Sequence, residues 1–97
     1  MGKLLYGPHQ RAVEIEDRDL AHLQVVMLSK LRRGESFAFS WDKAVSEGRG
    51  RASIWISPAI PLEFSFLGGR RPALNRAWID QMMVGAASGE LQLIPEP

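Results

Sequence analysis

Cysteine is missing from all 97 residues. Its absence excludes disulfides, thiolate zinc sites, iron–sulfur clusters and thiol nucleophiles together. Long hydrophobic runs are missing as well, since no stretch approaches the ~18 apolar residues of a membrane span. Met1 to Gln10 lack the apolar centre of a secretory signal. Neither sign of charge dominates: 12 Lys and Arg against 11 Asp and Glu leave a formal net charge of +1. So even a balance argues against strong nonspecific attachment to a nucleic-acid backbone. The expectation is a soluble cytoplasmic domain that touches no membrane. What the chain does have is apolar material, 45% hydrophobic residues with four Phe and three Trp. Surface scaling allows about 65% of the unfolded chain's surface to be buried, so one domain over residues 1–97 can build a core without cross-links.

Periodicity divides the chain into alternating elements. Lys3-Leu4-Leu5-Tyr6 is short and apolar and breaks at Gly7-Pro8-His9-Gln10. Ala12–Glu16 alternates strictly, with Val13 and Ile15 on one face, so the two runs predict a hairpin. The period then changes to 3.6: Leu20, Leu23, Met27 and Leu31 form a helical stripe, with Asp17 or Asp19 as expected N-cap. Lys30, Arg32 and Arg33 suit the negative end of that helix, and Gly34 terminates it. Three strand-like runs follow at 35–41, 51–57 and 62–67. Their inward sets are Phe37/Phe39/Trp41, Ala52/Ile54/Ile56 and Leu62/Phe64/Phe66. The short links at 42–50 and 58–61 predict a three-stranded antiparallel meander at the centre of the sheet. A second helix, capped by Asn75, carries Trp78, Ile79, Met82, Met83 and Ala86 on one stripe and stops at Ser88-Gly89. Glu90–Ile94 alternates again, with Leu91 and Leu93 inward, before Pro95. The order ββαβββαβ predicts an α+β fold, a mainly antiparallel sheet with both helices on one face.

The residues also carry a likeness. Met1-Gly2-Lys3-Leu4-Leu5-Tyr6-Gly7, Asp19-Leu20-Ala21-His22-Leu23-Gln24-Val25-Val26 and Lys30-Leu31-Arg32-Arg33-Gly34-Glu35-Ser36-Phe37 resemble a family of small actinobacterial proteins classed as a domain of unknown function. So do Ser53-Ile54-Trp55-Ile56, Pro61-Leu62, Asn75-Arg76 with Trp78, and Leu91 to Pro97. The likeness spans essentially the whole chain. Members are sometimes labelled ATP-dependent DNA ligases, which implies a DNA-repair context but carries over no catalytic residue. The label itself fails against the residues. Ligases resemble one another in a Lys-x-Asp-Gly motif whose lysine takes the adenylate. Lys3, Lys30 and Lys43 precede Leu4-Leu5-Tyr6, Leu31-Arg32-Arg33 and Ala44-Val45-Ser46. None fits, and 97 residues leave no room for a nucleotidyltransferase domain.

Two surfaces stand out. The first is the outward face of the expected meander, Ser36, Ala38, Ser40, Ser53, Trp55, Ser57 and Ser65. Small residues around one Trp suit packing against a second copy or a partner protein. A base could stack on Trp55, although single-strand platforms offer several aromatics among basic residues. The plain alternative is an exposed face with one lone aromatic. The second surface gathers Lys43, Arg49, Arg51, Arg70, Arg71 and Arg76 at one end of the meander, near the start of the second helix. There an anion or nucleic-acid backbone can dock. Its alternative is a solvated cluster neutralised by Asp42 and Glu47. No reaction centre emerges. His22 falls off the apolar stripe and is expected to face solvent, and His9 lies in the first turn. Two separated His without Cys make no transition-metal site. No Gly-x-Ser-x-Gly or phosphate loop occurs. Glu16, Asp17 and Asp19 are explained by capping and strand exposure. The expectation is a non-catalytic module without cofactor or metal, joined to itself or to a protein partner.

Overall fold

Alternating residues that bury one side of a strand require a partner along each edge that is to be hidden, and β1 obtains two. A computed structural model describes residues 1–97. Strand β1 (Gly2–Tyr6) pairs antiparallel with β2 (Arg11–Ile15), Leu4 facing Val13 and Gly2 facing Ile15. Their turn spans 7–10 and places Gly7 at φ +80° and Gln10 at φ +54°. The other edge of β1 pairs antiparallel with β5 (Leu62–Ser65), Leu4 facing Phe64 and Tyr6 facing Leu62. A second sheet centres on β3 (Phe37–Asp42), antiparallel to β4 (Arg51–Ile56) and parallel to β6 (Glu90–Gln92). The sheet orders are therefore β2-β1-β5 and β4-β3-β6.

The predicted element order and α+β class match the structure. The expected meander does not form, and the single sheet is two. Strand β5 leaves β4 after a tight turn and pairs with β1. Ile60 N–H donates to Ser57 C=O at 3.1 Å, closing a turn over Pro58, and Pro61 has no N–H to continue a ladder. Pro61 C=O instead accepts from Gly7 N–H at 3.0 Å, extending the β1–β5 pairing.

Helix α1 (Asp17–Arg32) packs on β1 and on α2 (Arg76–Gly85), and α2 packs on β6. One continuous core of 16 residues draws on both sheets and both helices, with Leu4, Leu20, Phe37, Phe39, Trp78 and Leu91 essentially inaccessible. Asn75 caps α2 as expected, its Oδ1 accepting from Trp78 N–H at 3.3 Å. Gly34, at φ +74°, ends α1 as expected. The expected Asp17 or Asp19 cap of α1 is a correction: Glu16 flanks the helix and no side chain caps it. Asp17 lies inside the first turn and reaches out to the segment after β5, accepting from Leu67 N–H (3.1 Å) and Gly68 N–H (2.9 Å). Those two backbone bonds, Gly68 first, hold its carboxyl below the usual carboxylate range. No helix is long and apolar enough to cross a membrane.

Gly2 marks the tightest approach in this arrangement. A Cβ there would lie 2.7 Å from Asp17 Oδ1, 2.8 Å from Leu20 Cδ2 and 2.9 Å from the Ser65 carbonyl oxygen. The last is backbone and cannot swing aside. Gly2→Ala is expected to destabilise the fold by about 1–3 kcal/mol. A urea unfolding curve should show a lower midpoint at unchanged slope.

Candidate functional site

Register decides which residues share a face, because successive side chains on a strand point to opposite sides. On the second sheet, Phe37, Phe39, Ile54, Ile56 and Leu91 point into the core. The opposite face shows Ala38 between Trp55 and Glu90, and Ser40 between Ser53 and Gln92. Asp42 faces Arg51 at the end of the strands. Ser36 and Ser57 lie just beyond the strand ends. Trp55 is 56% exposed, the most solvent-accessible aromatic on the sheet. Its backbone is fixed nonetheless, since the Tyr6 hydroxyl on the first sheet donates to the Trp55 carbonyl.

Ser65 does not belong to this face. It lies on β5 in the other sheet, opposite Lys3, because β5 pairs with β1. The face gains β6 at its other edge, beside β3, which brings Glu90 and Gln92. Ser40 is outward as expected but buried by its neighbours. Its hydroxyl donates to Glu90 Oε2 at 2.6 Å and meets the Ser53 hydroxyl at 3.1 Å. Alternation with Leu91 and Leu93 already made Glu90 and Gln92 outward. Only the parallel pairing of β6 with β3 puts them on the same face as Trp55, across Ala38 and Ser40.

The basic residues lose the geometry that gathered them. The segments at 42–50 and 68–72 were expected at one end of a meander, but they extend from strands of different sheets. Lys43, Arg49, Arg51, Arg70, Arg71 and Arg76 are all exposed, and none forms an ion pair. Arg49 sits at φ +62° in the β3–β4 connection, while Arg76 opens α2. Beside that connection, an open groove of about 840 Å³ runs along β2. Val13, Ile15, Trp41 and Leu93 contribute its apolar lining, and Glu16 and Asp19 stand on its rim. Partial burial, and then the adjacent Glu16, raise the Asp19 pKa. No three His, Cys, Asp or Glu side chains are grouped to hold a metal ion.

A polar network that the sequence pattern does not reveal lies around α1 and α2. His22, expected in solvent, is fully buried. Helix α1 is sandwiched between the first sheet and α2, so its buried residues include His22, roughly 160° round from Leu20, and Ala21, about 100° from Leu20 on the other side. His22 Nε2 accepts from Asn75 N–H at 2.8 Å, leaving Nδ1–H to donate to the Arg18 carbonyl at 2.7 Å. The imidazole lies 4.5 Å from the Trp78 ring, centroid to centroid. Arg18 grips Glu96 with two bonds, Nε to Oε1 at 2.8 Å and Nη2 to Oε2 at 2.7 Å. Asn75 Nδ2 adds a third to Glu96 Oε2 at 2.9 Å. Trp78 Nε1–H donates to the Ile94 carbonyl at 3.0 Å. Together these bonds tie the last residues across both helices. Buried Lys30 makes a comparable tie, donating to Glu35 Oε1 (3.0 Å) and the Ala86 carbonyl (3.3 Å).

These features define a small α+β domain of two three-stranded sheets, with an exposed Trp55 on the outer face of the second and its buried polar groups bonded internally. The chain belongs to the family described as Domain of unknown function (DUF7882), whose model matches residues 1–96. No curated protein and no solved structure matches it.

The C-terminal tie has a pH signature. The Arg18 guanidinium, and then Asn75, lower the Glu96 pKa from 4.5 to about 2. A carboxyl held low in the folded state stabilises the fold above its unfolded pKa and loses that effect as pH falls through the folded value. Acid unfolding of the native protein should therefore steepen below pH 4.5 and extend to about 2. Glu96→Gln should weaken stability near neutral pH and narrow its gap to the native protein on acidification. A gap that stays constant with pH, read by circular dichroism, contradicts the assignment.

Proposed function

We propose that this domain is a non-catalytic assembly module of the cytoplasm that binds protein through the outer face of its second sheet, its simplest partner being a second copy. The observation that carries this reading is Trp55. It stands exposed on a fixed strand, with small Ala38 and Ser53 as its near neighbours on the face and the charged Arg51 and Glu90 farther out. A large aromatic above small neighbours offers apolar contact with little side-chain ordering, which is the composition of an interface anchor. A sheet face with small side chains at its centre also suits packing against another sheet. The polar networks around His22, Lys30 and Glu96 close elements onto one another, so they support a structural role for the remaining buried polar groups.

Light scattering coupled to size exclusion should give a dimer mass at high protein concentration. Trp55→Arg should shift the protein to monomer without lowering its unfolding midpoint, because the side chain is exposed. A monomer at every concentration, with no change on substitution, removes the reading. The six unpaired basic side chains support a second reading, anion or nucleic-acid-backbone docking. Binding of an oligonucleotide that weakens steeply with salt, and is lost in Arg70→Glu/Arg71→Glu, would favour it instead.

A further inference from the structure

Two charges on the Trp55 face are placed so that a second copy can satisfy both. Arg51 lies opposite Asp42 on β3, while Glu90 lies opposite Ala38. Ser40 is midway between Ala38 and Asp42, and β3 runs midway between β4 and β6. The line from Arg51 to Glu90 therefore crosses Ser40 at its centre, the two ends being about 17 Å apart for ideal strand spacings. Both residues are exposed, and neither has an ion-pair partner. Asp42, although opposite Arg51, makes no salt bridge with it. Glu90 is already held over the face by the Ser40 hydroxyl, which fixes one carboxylate oxygen and leaves Oε1 without a partner in the chain.

We infer that the face closes on a second copy of this chain about a two-fold axis passing over Ser40, pairing Arg51 of each copy with Glu90 of the other. The inference rests on the proposed assembly role and specifies its partner and registry. An axis parallel to the sheet and perpendicular to the Arg51–Glu90 diagonal exchanges the two charges. For ideal strands it crosses the two sheets at about 70°, near the orthogonal class of sheet packing. The same axis passes about 3 Å from the Trp55 position, so the two indoles meet beside it. One rotation thus accommodates the exposed aromatic and both free charges. The contact is isologous, as a closed dimer requires. Small side chains at Ala38, Ser40 and Ser53 permit the close approach.

The experiment is sedimentation equilibrium on the full chain and five variants, with circular dichroism to establish that each is folded. The native protein should dimerise. Arg51→Glu and Glu90→Arg should each weaken dimerisation at least about tenfold, because each sets like charges against one another. The combined variant R51E/E90R restores both pairs in reverse and should return to within about threefold of the native constant. A Glu90→Gln variant, which keeps a partner for Ser40 but has no charge, should fall between. A native monomer overturns both this inference and the assembly role. A native dimer that is lost in Trp55→Arg but indifferent to the charge reversals overturns the Arg51–Glu90 registry and leaves the Trp55 face standing. Single reversals that weaken the dimer without recovery in the combined variant overturn the registry as well.

Discussion

Strand β1 is hydrogen-bonded along both edges, and the arrangement of the other strands follows from that. By taking β2 on one side and β5 on the other, it divides six strands into two sheets of three. Strand β5 is then unavailable to β4, so β4 remains at an edge and β3 receives β6 on its far side. The open β4 edge and the added β6 both shape the chemistry of the Trp55 face. Had β5 completed a meander, Glu63 and Ser65 would stand beside Trp55. At the opposite edge of the sheet, β6 brings Glu90 to the face, and the Ser40 hydroxyl holds its carboxylate in place.

The two sheets are joined by more than the shared core. The Tyr6 hydroxyl reaches from β1 to the backbone of Trp55 and satisfies a carbonyl at the β4 edge. Asp17 binds backbone N–H groups just after β5, anchoring that segment to the start of α1. At the other side of α1, Arg18, His22, Asn75 and Glu96 bind the α2 entry and the C-terminal residues. Charged and polar groups thus add ties between elements that already share one core. The face around Trp55 is different in kind, because its aromatic is held by its backbone while its side chain has nothing to cover it.

Much of the architecture was legible residue by residue. Val13 and Ile15 alternating with Glu14 marked β2, and Asn75 followed by Trp78 and Ile79 marked the start of α2. Gly34 marked the end of α1 through its left-handed conformation. Trp55 was correctly placed on an outward face because Ile54 and Ile56 flank it. His22 was not legible, since a helix covered on two sides buries residues well outside its main apolar stripe. Glu96 was not legible either, because its partners Arg18 and Asn75 lie 78 and 21 residues away along the chain.

The sequence by itself determined element type, element order and the side of each strand that turns inward. These depend on local periodicity and on turn chemistry, which short windows of residues carry. The tertiary structure alone decided which strands became neighbours. Pairing energy comes from backbone groups that every residue shares, so the choice between β4 and β1 as partner for β5 leaves no mark in local pattern. It was made where the second open edge of β1 received β5, which took Ser65 to the first sheet, while β6 on the far edge of β3 brought Glu90 to the Trp55 face.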